Sequence, residues 1–389
     1  MTTQAPTTSA RSTALRALPW TTGIRGLACV TVLVYHGLLT AVPEKATGIE
    51  HLFVLVLALT GRLSVLAFII LSGYLLGRHW RGGMNTTGLW KQYRQFMTRR
   101  SVRVLPPFYV ALTLVVLAMA FLGLNHADNT HWDTGLPFTW QRVLTNYTMT
   151  TDVFNQVPLS HQLWTVPVEY HLYLLAPFIV LGRTPRTLGI ASAITVFGLI
   201  ALDPGFTAPF FIAAYIGAFW TGLWRQRVTT IEFRTAARTA AGVILISAIL
   251  SPIAFLDKSL NVTVRHYMVP EAIFALVFLP WLYYRDVMGG TDLLHKLVDL
   301  RFMRWLGEIS FSLYLIHGLV LELTWRALIS HHVHGHLLRV VSIIGVGAIT
   351  SLIAAVALYR WVEMPSERAS RRIRVDTPTP VPTSHKRVA

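Results

Sequence analysis

Residues 23 to 41 read Gly-Ile-Arg-Gly-Leu-Ala-Cys-Val-Thr-Val-Leu-Val-Tyr-His-Gly-Leu-Leu-Thr-Ala. A helix needs about 20 mostly apolar residues to cross a bilayer, and this stretch supplies them while holding an arginine and a histidine. Arg25 and His36 are eleven positions apart. At about 100° per residue that is roughly 20° beyond three full turns, so both point from one helical face, about 16 Å apart along the axis. Cys29 and Val32 lie on the same stripe. Ionisable residues inside a span are costly and mark functional candidates. The competing reading is a snorkelling arginine and a histidine satisfied by a neighbouring helix.

Nine further stretches have the same apolar character, near 55–77, 104–124, 163–181, 187–202, 206–224, 238–256, 267–284, 306–325 and 337–361. Hydrophobic residues make up 53% of the 389, charged residues only 13%, against about 25% charge in a soluble domain. Ten spans put both termini on one side of the membrane. Of the 34 Lys and Arg, 27 then fall on the terminal side and 7 on the other, so the positive-inside bias makes both termini cytosolic. The expected fold is all-α, a polytopic transmembrane bundle of about ten helices, multi-pass in the cell (inner) membrane. Residues 1–19 read as a flexible cytosolic tail, 20–368 as the membrane domain and 369–389 as a basic, Pro/Thr-rich disordered tail. The first residues lack the apolar core of a cleaved signal peptide, so the first span is expected to direct insertion.

The formal charge of +16 lies between apolar runs and points to anionic lipid headgroups and cofactor phosphate, not to nucleic acid. The single cysteine, Cys29, excludes an intramolecular disulfide framework and a cysteine-based metal cluster. Two connections stand out. Arg78 to Arg103, with Trp80, Trp90, Tyr93 and Phe96, reads as an interfacial amphipathic helix on the cytosolic face. Asn125 to Gln162 is the longest outward loop, either a lid or an ordered connection.

Several further residues carry candidate chemistry. Ser72-Gly73-Tyr74 places small residues within the second span, where backbones or a ligand approach closely. Arg99, Arg100 and Arg103 precede Pro106. Guanidinium groups bind phosphate bidentately, so the cluster suits a phosphorylated cofactor; the plainer reading is a positive-inside anchor. The fourth span opens with Trp164 and carries Glu169 and Tyr173 on one face. In the ninth, Ser310, Tyr314 and His317 form a polar stripe that either lines a cavity or joins helices. Glu363 at the end of the tenth span is expected to pair with an arginine. His331, His332, His334 and His336 cluster in an outward loop and permit opportunistic metal binding; no metal is assigned to the site.

These motifs, in this order, resemble the membrane-bound acyltransferase family type 3. The likeness rests on Gly23 to Ala28 running to Tyr35-His36, Phe68 to Tyr74, Arg99-Arg100 with Arg103 and Pro106, Trp164 with Glu169 and Tyr173, and Ser310 to His317. It covers about residues 20 to 368. The resemblance implies an integral-membrane enzyme that takes an acyl group, often acetyl, from acyl-CoA and places it on a hydroxyl of an envelope sugar, lipid or secondary metabolite such as a macrolide. Acyl-CoA is then a co-substrate, with no permanently bound cofactor. Pro167 and His171 depart from the family's usual fourth-span motif. The C-terminal hydrolase-like domain of some members has no counterpart here, so the membrane domain is expected to handle the acceptor alone.

On this reading His36 is the general base for the acceptor hydroxyl, since an imidazole titrates near neutrality. Glu169 orients the imidazole or the acceptor, and Arg25, Ser72 or Tyr74 donates to the oxyanion. Arg99, Arg100 and Arg103 hold the coenzyme's phosphates. A covalent route through Cys29 is the lesser alternative, because a thiol in hydrocarbon is inert. The rival class is a transporter or flippase that uses the buried Arg, His and Glu as a proton or anion path, although neither internal repeats nor paired broken helices support it.

Overall fold

Two apolar cores have several helices in common. In the computed structural model, which describes residues 18–41, 49–79, 89–151, 153–154, 156–181, 214–219, 221–222, 269–289 and 292–373, α1 (Pro19–Ala41) contributes Trp20 and Ile24 to one core and Cys29, Val32 and Leu33 to the other. Pro19 opens the helix, where a missing amide N–H costs nothing. The first core gathers α2 (Ile49–His79), α5 (Thr165–Leu181), the helical residues 214–219 and α6 (Val269–Met288) around Ile70, Tyr74, Tyr215 and Phe219. The second gathers α3 (Leu89–Phe121), α9 (Ser310–Thr324) and α10 (His336–Leu358) around Phe108, Leu313 and Ile316. The described residues are helical and contain no strand.

Between these lie shorter pieces. The connection between α3 and α5 is built from a 3-10 turn at His131–Gly135, α4 (Trp140–Tyr147) and a second 3-10 turn at His161–Trp164. Its described residues form an ordered connection. Helices α7 (Leu293–Val298) and α8 (Arg301–Glu308) lead into α9, and α11 (Met364–Arg372) ends the described chain.

Five helices among the described residues are long and apolar enough to span a membrane: Pro19–Ala41, Ala58–Arg78, Trp90–Phe121, Ser310–Ile329 and His336–Arg372. On α10 the side chains of Leu338, Val341, Ile349 and Ile353 are exposed, a surface that water disfavours and lipid does not. The protein is thus a multi-pass membrane protein. The stretches 187–202 and 238–256 lie outside the described residues, as do 206–213, 220 and 223–224 and the tails 1–17 and 374–389.

Three boundaries differ from expectation. Of the amphipathic stretch expected over Arg78 to Arg103, residues 80–88 lie outside the described residues, and Leu89 to Arg103 form one helix, α3, with the third span, running through Pro106 and Pro107. Arg100 and Arg103 are therefore fixed rigidly to the span. Residues 369–372 continue α11, and Ser370 Oγ donates to the Arg99 carbonyl at 2.8 Å. Helix α9 starts only at Ser310, because the chain turns at Ile309 after α8.

That turn matters for α1. A Cβ on Gly23 would collide with the carbonyl of Val298, and one on Gly26 with that of Met303. Glycine lets α1 lie against α7 and α8 at backbone distance, the close approach that small residues provide in membrane helices. Gly73 similarly admits the Tyr215 carbonyl.

Candidate active site

Five helices, α9 with Ser310 and Tyr314 among them, bring their polar residues to one cavity of about 110 Å³. Arg25 comes from α1, Ser72 from α2, Arg100 and Arg103 from α3, and Glu169 and Tyr173 from α5. The four-residue spacing of Glu169 and Tyr173 aligns them, and Tyr173 OH donates to Glu169 Oε1 at 2.5 Å. Ser72 Oγ donates to the same oxygen at 3.0 Å. Two hydroxyl donors thus share one oxygen of the carboxylate, and Arg25 lines the same cavity. Arg100 lies over the Tyr173 ring, 4.9 Å from its centroid, and Arg103 sits 3.6 Å from Glu367. Three guanidinium groups face one carboxylate, so the cavity has an excess of positive charge.

A second cavity, of about 400 Å³, shares Val65 and Tyr314 with the first. Its polar wall is formed by His36, His131, His161 and Arg62, with Trp164 beside them. His36 Nδ1 lies 2.6 Å from His317 Nε2, and His317 Nδ1 lies 3.0 Å from the Leu313 carbonyl. A carbonyl only accepts, so His317 Nδ1 carries the proton and its Nε2 is a lone pair. His36 Nδ1 must then be the donor. In the neutral dyad this leaves a lone pair on His36 Nε2, which makes no hydrogen bond among the described residues. Arg62 is held by Glu271 at 2.7 Å.

His131 and His161 reach the same place from the two 3-10 turns, with ring centroids 4.4 Å apart. Burial pushes the His131 imidazole down to about 4. Burial, with the charges of His131 and Arg62, pushes His161 down to about 3. Both are neutral at neutral pH. Neither had been singled out in the sequence, where they are separated from His36 by long intervals and lie in a polar connection. The one available signal was that each is followed closely by a tryptophan, Trp132 or Trp164, at the start of a turn.

The other expected site residues are distributed as follows. Tyr314 stands between the two cavities, its hydroxyl accepting from Thr165 Oγ1 at 2.8 Å. Glu169 does not touch His36; the imidazole is oriented by His317, because α5 presents Glu169 to the arginine cavity. Arg99 is not among the residues lining that cavity, as the 100° step carries it to the side where α11 docks. Tyr74 is fully buried and donates to Asp286 Oδ2 at 2.7 Å, within the pair that Asp286 forms with Arg78. It therefore faces away from the site. Glu363 accepts from the backbone amide and hydroxyl of Ser312, at 3.1 and 2.5 Å, in place of an arginine; Arg103 pairs with Glu367 instead. A π-turn at Tyr359–Glu363 turns the carboxylate inwards. Cys29 is buried, its thiol donating to the Ser310 carbonyl at 3.4 Å, and it lines neither cavity. Pro167 falls in the first turn of α5, where its missing N–H breaks no helical bond. Among the described residues the histidines placed to share an ion are His36, His131 and His161, not those of the 331–336 loop.

Peptidoglycan O-acetyltransferase OatA of Listeria monocytogenes serovar 1/2a (strain ATCC BAA-679 / EGD-e) is 23% identical over 354 residues, covering 80% of this chain and 52% of the relative. The chain thus spans about half the length of the curated relative it matches. No solved structure matches it. A family model described as an acyltransferase domain matches residues 18–360, and with nearly the whole described membrane domain inside that match, the chain belongs to this acyltransferase family.

Proposed function

We propose that the protein transfers a short acyl group, acetyl in the first instance, from acyl-CoA to a hydroxyl of a sugar-containing acceptor. The observation that carries the reading is the free lone pair on His36 Nε2, fixed by the chain from the Leu313 carbonyl through His317. An imidazole in that tautomer accepts a proton from an acceptor hydroxyl as the oxygen attacks the thioester carbonyl. The new C–O bond forms, the tetrahedral oxyanion collapses, and the thiolate of CoA leaves with the proton. His317 Nε2 stabilises the imidazolium in the meantime.

The arginine cavity suits the donor. Arg100 and Arg103 are the candidate phosphate ligands, with Arg25 nearer the thioester, and Ser72 is the candidate donor to the oxyanion. The histidine cavity suits the acceptor, and Tyr314 and Val65 mark the boundary that the acyl group crosses. This division accords with ten spans, cytosolic termini and insertion in the inner membrane, which put the arginine end of α1 at the cytosolic face. The name of the relative favours an envelope glycan as acceptor over a macrolide.

Release of free CoA from acetyl-CoA by the purified protein in detergent tests the reading, with muropeptides, simple glycosides and a macrolide offered as acceptors. Acceptor-dependent release that falls about 10²- to 10⁴-fold in His36→Ala is the expected outcome. Undiminished release in that variant would remove His36 from the chemistry, and no release with any donor and acceptor would remove the acyl-CoA reading.

A further inference from the structure

The mechanism above uses one nitrogen of His36 and leaves His131 and His161 without a task. These two and His36 come from three separate elements, yet one ring nitrogen of each lies within 4.8 Å of those of the other two. Ring centroids are 6.1 Å apart for His36 and His131, and 6.0 Å for His36 and His161. The three make no hydrogen bond to one another. His131 Nε2 is buried and has no hydrogen-bond partner, an arrangement that a buried polar atom adopts only at a cost. A cavity of about 400 Å³ opens beside them, roomy enough for an ion and a further ligand.

The donor set discriminates between ions. Three imidazoles without a carboxylate or thiolate suit zinc and its neighbours, whereas calcium and magnesium require oxygen. Three protein nitrogens with an open fourth position is a common zinc arrangement. A metal-bound imidazole almost always donates its second N–H to an outer partner that fixes its orientation. His36 already has such a partner in His317, at 2.6 Å. The nearest cation, Arg62, has its charge matched by Glu271.

We infer that His36, His131 and His161 form a binding site for a divalent transition cation of the zinc class, and that the bound ion inhibits acyl transfer by occupying the lone pair of His36. The second half rests on the role proposed for His36; the first does not. The ion and the acceptor's proton compete for the same nitrogen. Zinc on the acceptor side of the protein then acts as a brake on the enzyme.

Equilibrium dialysis of the purified protein against Zn²⁺, with metal analysis, tests the site directly. The expected result is about one tightly held ion per chain, with affinity lowered at least about 10- to 100-fold in His131→Asn and in His161→Asn, since losing even an outer-shell partner costs that much. Asparagine keeps a polar side chain of similar reach, and a monodisperse elution profile confirms that each variant is folded. Replacement of His331, His332, His334 and His336 together by alanine serves as the control and is expected to leave this ion in place. Absence of a bound ion, or binding lost only in the loop variant, overturns the site. The activity arm uses the CoA-release assay across the same Zn²⁺ range. Loss of turnover that tracks occupancy and is reversed by a chelator supports inhibition, and stimulation overturns it. Binding without CoA release at any zinc concentration would leave the site standing and sink the acyl-CoA reading instead.

Discussion

At His36 the direction of one hydrogen bond decides which ring nitrogen is free, and that direction is set one hydrogen bond further on by the Leu313 carbonyl, which cannot donate. His317 is thus a positioning residue. In His317→Phe the His36 ring loses its acceptor and its tautomer is no longer fixed. We expect kcat to fall roughly 10²-fold or more while KM for the acyl donor barely changes, measured by steady-state CoA release. A purely structural role would instead lower the folded fraction, read from the elution profile and thermal midpoint, and leave kcat per folded molecule unchanged. The arginines separate in the same way. Arg100 lines the donor cavity and stacks on Tyr173, so Arg100→Ala is expected to raise KM for acyl-CoA about tenfold, the worth of one charge-assisted bond of about 1.5 kcal/mol. Arg99→Ala, on the side facing α11, should change KM much less. Arg25, His36 and the basic cluster were legible from spacing alone, because a helix converts sequence interval into direction. Which of Arg99 and Arg100 faces the cavity was not, because that depends on how α3 is rotated against α5 and α11.

At the scale of the element, α1 positions both ends of the site and is itself positioned by contact with α7 and α8. Gly26 faces the backbone of Met303 and Gly307, and backbone cannot swing aside as a side chain can. Gly26→Val is expected to lower stability by about 1–3 kcal/mol or more, read as a fall in the thermal midpoint in detergent. Gly345→Ala on α10 is the control. A Cβ there meets nothing within 4 Å, and alanine gains about 0.5–1 kcal/mol of helix preference over glycine. The long apolar runs announced α1, α2, α5, α6 and α10 in the sequence. The joining of the amphipathic stretch to the third span was hidden, since Pro106 and Pro107 read as a break when nothing shows the neighbours that support the helix across them.

At the scale of the whole molecule, the two cavities meet because α2 stands against both α1 and α6. Arg62 on α2 and Glu271 on α6, 209 residues apart in the chain, pair at 2.7 Å, with the Glu271 side chain wholly buried. Removing one partner of such a pair strands the other charge. Arg62→Ala is therefore expected to cost about 3–5 kcal/mol, seen in the same thermal measurement, and Glu271→Gln less, since a neutral amide tolerates burial better. By itself the sequence determined the all-helical membrane character, the motifs of the family and the shared stripe of Arg25 and His36. Each of these depends on local composition or on the period of a single helix. Only the tertiary structure decided that His317 is the partner of His36, that Glu169 belongs with the arginines, that Tyr74 and Glu363 turn to Asp286 and Ser312, and that His131 and His161 complete a cluster. Those meetings join residues up to 281 positions apart, and the packing of separate helices, not any interval along the chain, brings them together.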